Sequence, residues 1–285
     1  MSSSVTSPTA FNAYTNLTLS ALSLNGVMRR LSTGVKGVVD DGAGVAISER
    51  MRSQANSTAK AANNVDNGIS MLQTADTWMQ QISDLLGRMH ELAVDASDAT
   101  KTGDDLANIN TEFAQLQSEV RRVTDQAAKF NGAMLFSSDF TNVATQVGAD
   151  SGQTITFMLK DLTSDTTVTV STGLDWASIV DAADMKVSVA SAAQDAISRL
   201  QSAINFIGNE RAAVGAQQER LEKTRTGLLS YEDQIVSAES KIRTIDTARE
   251  SSEMMKYQIL TQIGTAMLSQ ANQLPAASVQ LVGGR

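Results

Sequence analysis

Apolar residues recur at every seventh position over long stretches of this chain. From Met51 the row continues through Thr58, Val65, Leu72, Met79, Leu86 and Ala93. A companion row of Ala55, Ala62 and Ile69 resumes, after an offset, as Ile82, Met89 and Ala96. Seven residues make two helical turns, so both rows fall on one face. The pattern predicts a helix of roughly 50 residues, about 75–80 Å long at the α-helical rise. Beyond a loop at Thr100–Asp105, a second helix is read from Leu106, Ile109, Phe113, Leu116, Val120, Val123 and Ala127, which step by three and four. The third and longest row runs through Leu200, Ile207, Val214, Leu221, Leu228, Ile235 and Ile242, with Ile197 and Ile204 beside it. Arg211, Arg225 and Glu232 fall off this stripe. Three such stripes bury one another most economically in an elongated antiparallel bundle with coiled-coil packing. Its seam is assigned to Val65, Leu72, Leu86, Phe113, Leu116, Leu200, Ile207, Val214 and Leu221.

The stretch from Phe136 to Thr172 breaks the helical period and is rich in Ser, Thr, Asp and Gly. Thr154–Leu159 alternates apolar and polar residues, and Thr166–Val170 does so again across the polar Lys160–Asp165. This predicts a β-hairpin, preceded by a strand near Val143–Val147. Both chain ends return to helical spacing, with Leu17, Leu24, Met28 and Leu31 at one end and Met255, Ile259, Ile263 and Met267 at the other. Neither segment can cover its own stripe. The expectation is that they pair, leaving outer faces for neighbours. The fold class is therefore mainly α, a helical bundle with a small β-hairpin insert. Residues 1–43 with 247–285 are expected to form a terminal coiled-coil domain. Residues 44–246 form the bundle, with the hairpin region at about 137–176.

Composition sharpens this picture. The two prolines are Pro8 and Pro275, so no proline interrupts the helices between them. Aromatic residues are 4% of the chain, which leaves the core to Leu, Ile, Val, Met and Ala. A net charge of −8 and a pI near 4.7 lack the basic patch that a nucleic acid or an anionic membrane surface needs. No apolar run approaches the roughly 18–20 residues of a spanning helix, so no membrane insertion is expected. There is no cysteine, which removes disulfides and thiol chemistry. The opening Met1–Asn12 has neither a basic nor an apolar region of a cleaved secretory signal, so work outside the cell would need another export route.

Candidate chemistry is sparse. His90 is the only histidine and has no spaced partner for a triad or a metal site. Asp40 and Asp41 precede a helix, where a carboxylate caps free N–H groups. Gly42-Ala43-Gly44 lacks the strand and third glycine of a nucleotide loop and reads as a flexible junction. Asn16 and Asn56 fit the N-glycosylation pattern but lie in predicted helices. The Ser/Thr-rich segment 137–172 is the better candidate for O-linked sugars. No catalytic residue, metal ligand or cofactor is expected.

Several segments are similar to bacterial flagellin. Arg30-Leu31-Ser32-Thr33-Gly34 and Asp40-Asp41-Gly42-Ala43-Gly44 with Ala46-Ile47-Ser48 match family motifs, as does the run from Asn67 to Ala75, NGISMLQTA. Glu91-Leu92-Ala93-Val94, Phe130-Asn131-Gly132, the run Arg211–Gln218 and Ser269-Gln270-Ala271-Asn272-Gln273 continue the match in the family's order. At the amino end Thr6-Ser7-Pro8-Thr9 departs from the family pattern. The resemblance implies a terminal domain, D0, made from both chain ends, and a helical D1 domain with a β-hairpin. Outer domains are absent for want of sequence. It also implies self-assembly into the flagellar filament and type III export without a cleaved signal. The partners it implies are a chaperone on the C-terminal segment, and filament-cap and hook-junction proteins. In the family, the positions of Arg88, Leu92 and Glu112 belong to an axial contact that an animal innate receptor also reads. His90 stands where the familiar pattern has a second arginine. The alternatives are a hook–filament junction protein related to flagellin, and an unrelated helical enzyme or sensory coiled coil.

Overall fold

The computed structural model describes residues 8–163, 169–171, 174–181 and 185–283. Among the described residues there are six α-helices: α1 (Pro8–Thr33), α2 (Gly42–Ala96), α3 (Gly103–Arg122), the short α4 (Ala177–Val180), α5 (Ala190–Arg243) and α6 (Thr247–Gly283). The chain divides into two compact units. One holds residues 1–53 and 234–285, the other residues 54–233. The division falls inside α2 and α5, not at the loops near 43 and 246 where the sequence pattern changes.

In the first unit α1 opens on Pro8, whose missing N–H costs nothing at the first helical position. It closes on Gly34, which takes a φ of +71° and donates its N–H to the Arg30 carbonyl at 2.8 Å. Arg30 meets Glu250, and Leu17 lies against Gly264, so α1 and α6 run antiparallel. The linkers that follow α1 and precede α6 also pair. Val35 bridges Thr244, and Lys36 N–H donates to the Arg243 carbonyl at 2.9 Å.

The second unit is a bundle of 54–96 from α2, α3, and 190–233 from α5. Val65, Leu72, Leu86, Phe113, Leu200, Ile207 and Leu221 are fully buried, and Val214 is nearly so. Ion pairs Asp66–Arg225 and Asp76–Arg211 and the Gln54–Tyr231 hydrogen bond flank the α2–α5 seam. Partner numbers fall on α5 as they rise on α2, which fixes the antiparallel sense. α3 begins with Thr102 and Asp105 capping each other reciprocally.

The second helix is shorter than its apolar spacing predicts. α3 ends at Arg122, and Val123–Ala127 widens into one π-helical turn that closes with Ala128 N–H on the Val123 carbonyl at 3.1 Å. Within α3 the buried residues are Phe113, Gln117 and Val120, whereas Leu116 is only half-buried against the core. The glutamine is inside because its amide donates to the carbonyls of Ile179 and Met185, both at 3.1 Å. That bond docks the α4 segment and with it the buried Trp176, whose ring lies 6.4 Å from Phe206.

The β structure also differs from the expectation. Among the described residues Thr154–Phe157 (β4) pairs antiparallel with Val143–Gln146 (β3), a pairing the expected hairpin does not include. Thr166, Thr167 and Val168 lie outside the described residues. Thr169–Ser171 (β5) pairs with Leu174–Asp175 (β6). A further hairpin joins Lys129–Phe130 (β1) to Ala133–Met134 (β2) around Asn131-Gly132, at φ +50° and +85°. Two successive residues at positive φ make the tight turn that matches strand twist, which is the work of an Asn-Gly pair.

Replacing Gln117 with leucine leaves two inward carbonyls without a donor. The expected cost is about 1–3 kcal/mol. Thermal melting followed by tryptophan fluorescence should show a lower midpoint and earlier exposure of Trp176.

Candidate assembly surfaces

The linker clasp of the first unit is built from charged side chains that are largely covered. The Arg30 guanidinium holds Glu250 with Nε at 3.1 Å from both carboxylate oxygens, and Nη2 at 2.9 Å. Its Nη1 donates to Asp40 at 2.8 Å. Planar guanidinium geometry suits such bidentate pairing. Asp40 also accepts the Gly37 N–H at 2.9 Å, closing the turn Gly37–Asp40. That backbone bond, followed by Arg30, holds the Asp40 carboxyl below its usual range. Arg30 is held above its usual range, first by Glu250. Of the two aspartates expected as caps, only Asp41 caps α2, through Gly44 N–H at 2.8 Å. Gly42–Gly44 is not a loose junction but the first turn of that helix. A Cβ on Gly44 would collide with the Asp41 carboxylate.

The eight terminal residues singled out from spacing fall into two groups. Leu17, Leu24 and Leu31 are half-buried in the α1–α6 pair, around the buried Val27. Met28 is 49% exposed, and Met255, Ile259, Ile263 and Met267 are all more than half exposed. The α6 row that is covered is a different one: Met254, Tyr257, Thr261, Gly264, Leu268 and Ala271. Spacing alone passes over it because Met254 and Leu268 are interrupted by Tyr257, Thr261, Gly264 and Ala271, which are aromatic, polar or small. Small residues are what close approach needs, since a Cβ on Gly264 would stand 3.0 Å from Leu17 Cδ1. α6 is thus apolar on two faces, of which α1 covers one. α1 adds outward Phe11, Tyr14, Leu19 and Leu22.

In the second unit Arg88 donates to Glu112 at 2.7 Å and to Glu91 at 3.1 Å on an exposed face. Leu92 is not part of that face: it is 6% exposed and belongs to the core. His90 is half-buried between Met89 and Glu91. Asn16 and Asn56 are exposed on helices, and Ser138, Ser151, Thr154 and Thr156 are exposed within 137–172. Among the described residues no group of three acidic, His or Cys side chains is placed to hold a metal ion, and no helix is long and apolar enough to cross a membrane.

Two changes test this geometry. Gly264→Leu should force α1 and α6 apart and lower the helicity of the terminal segments, read by hydrogen exchange, while the second unit keeps its protection. Asp40 has a folded pKa below its ordinary value, so its contribution is present above that value and lost as pH falls through the depressed one. The melting difference between the native protein and Asp40→Asn should therefore be constant near neutrality and shrink only in acid, below the ordinary carboxylate range.

Comparison with known proteins agrees with this helical arrangement. Residues 6–141 match the bacterial flagellin N-terminal helical region, and residues 197–282 match the bacterial flagellin C-terminal helical region. A flagellin of Halalkalibacterium halodurans is 36% identical over 275 residues, covering 96% of this chain and 97% of that protein. Flagellin FlaB2 of Treponema pallidum is 34% identical over 273 residues, 92% of this chain and 93% of the other. The flagellar filament 33 kDa core protein of Treponema phagedenis is 33% identical over 273 residues, with the same coverage of 92% and 93%. With two paired helical ends, a helical middle and relatives matched over nearly their whole length, the chain belongs to the bacterial flagellins, non-enzymatic structural subunits of the flagellar filament.

Proposed function

We propose that the chain polymerises by laying the outer faces of α1 and α6 against neighbouring copies of itself. The observation that carries this is the exposed row Met255, Ile259, Ile263 and Met267, opposite a seam already closed by α1. Covering a large apolar side chain is worth about 1.5–3 kcal/mol, less the cost of ordering. The faces of α1 and α6 differ in composition, so the contact is heterologous and extends without closing. The tube that results is a stiff propeller, turned by torque from its base.

The Arg88–Glu91–Glu112 face is the candidate for a second contact between copies along the filament. Leu92, being inside, takes no direct part in it. A C-terminal segment with one apolar face uncovered before assembly is a fitting target for an export chaperone, and export would proceed without a cleaved signal. Filament-cap and hook-junction proteins are the partners expected at the two ends of the polymer.

Deleting residues 1–40 or 250–285 should abolish filament growth. Ile259→Glu in the full-length chain should raise the critical concentration for assembly by roughly tenfold or more, since a charge on an apolar face loses hydration without gaining a partner. Sedimentation and negative-stain microscopy measure both. Long filaments at normal yield from the truncated chains would refute the proposal. Short stumps from the native protein would favour a hook–filament junction role.

A further inference from the structure

Methionine is the only sulfur in this chain, because there is no cysteine. The structure sorts the described methionines by environment. Met71, Met79, Met89 and Met185 are at most 4% exposed in the core of the second unit. Met28, Met255 and Met267 are 49%, 54% and 60% exposed on the terminal pair. Met134 and Met158, at 39% and 60%, are exposed in the second unit. Two of the four members of the uncovered α6 row are therefore thioethers open to solvent, and each is separated from Ile259 or Ile263 by one helical turn.

From this placement we infer that Met255 and Met267, with Met28, form an oxidation-sensitive site whose modification by peroxides blocks assembly. The inference rests on the assembly reading given above. The step transfers one oxygen atom. The thioether sulfur attacks one oxygen of hydrogen peroxide and the O–O bond breaks; the second oxygen leaves as hydroxide and takes the proton of the transferred oxygen, giving water and the sulfoxide. The sulfur is oxidised by two electrons and the peroxide reduced by two. A sulfoxide is a strong acceptor on a side chain that was apolar. Placed in an apolar row beside Ile259 and Ile263, it is a polar group that the neighbouring copy must cover, and covering it costs free energy that the thioether did not. The same covering that assembly brings removes the sulfur from solvent. Free subunits are thus the vulnerable form and assembled ones the protected form, and a sulfoxide reductase acting before assembly restores competence.

The test uses the full-length chain and hydrogen peroxide as the oxidant. Free subunits are oxidised until peptide mass spectrometry finds sulfoxide at positions 28, 255 and 267. The critical concentration is then measured before and after treatment for three proteins: the native chain, the triple variant M28L/M255L/M267L, and the control M134L/M158L. Each is compared with its own untreated sample, so a changed starting value does not matter. A rise of roughly tenfold or more is expected for the native chain and for the control, and little change for the triple variant. Methionine sulfoxide reductase with a thiol reductant should return the native value. In preformed filaments positions 255 and 267 should resist the same dose. Unchanged assembly of the oxidised native chain would overturn the inference, as would an equal loss in the triple variant. If untreated Ile259→Glu assembled normally, the assembly reading itself would fail, and that result is distinct from either.

Discussion

Everything in the first unit follows from a mismatch between two helices. α6 carries apolar residues on two faces, and a single antiparallel partner covers one of them. The covered face mixes Met254, Tyr257 and Leu268 with Thr261, Gly264 and Ala271, and the small residues admit α1 at close range. The uncovered face is large and aliphatic. Packing strength is thus divided unevenly. Close backbone approach holds the pair together inside one chain, and the bulk of the transferable apolar surface is left outside. A better match, with Ile259 and Ile263 turned inward, would give a steadier monomer and a poorer polymer.

The second unit solves the opposite problem. Its rows of Leu, Ile, Met and Phe bury most of their members against one another, with Leu116, Ile197, Ile204 and Leu228 half-covered and ion pairs along the flank of the seam. Where apolar surface runs out, hydrogen bonds take over. Gln117 reaches two carbonyls of the segment that carries α4, and Asn110 accepts the Val187 N–H at 3.0 Å. Few aromatic rings are available, and Trp176 and Phe136 are among the largest fully buried side chains. A finished core of this kind provides a fixed body on which the exposed Arg88–Glu112 face is held.

The long helices are legible from heptad spacing because Leu, Ile and Met at seven-residue intervals admit one periodicity. Val65, Leu72, Leu200 and Ile207 are buried as that spacing requires. Three features escape it. Spacing cannot see a π-helical turn, since Val123 stays buried whether the helix continues or widens. Strand alternation names strands but not partners, and so it misses the pairing of β4 with β3. Thr261, Gly264 and Ala271 interrupt the apolar row that meets α1, so that α6 face is less conspicuous than the one left open. Asn131-Gly132 is readable as a tight hairpin turn from its dipeptide alone. Leu92 is placed by family pattern and Asp40 by its position before a helix, and neither argument weighs burial or competing partners.

The Arg30–Glu250 pair joins residues 220 positions apart. Closing so long a loop carries an entropic penalty that grows with the logarithm of its length. The α2–α5 contacts Asp76–Arg211 and Gln54–Tyr231 of the second unit span 135 and 177 positions, so they carry nearly the same penalty but can form before α6 is present. The order of events in a chain emerging end-first is therefore set by topology: α1 appears earliest yet waits longest, without its mate until the last residues arrive. A protein joined head to tail in this way completes its terminal half only once, at the end.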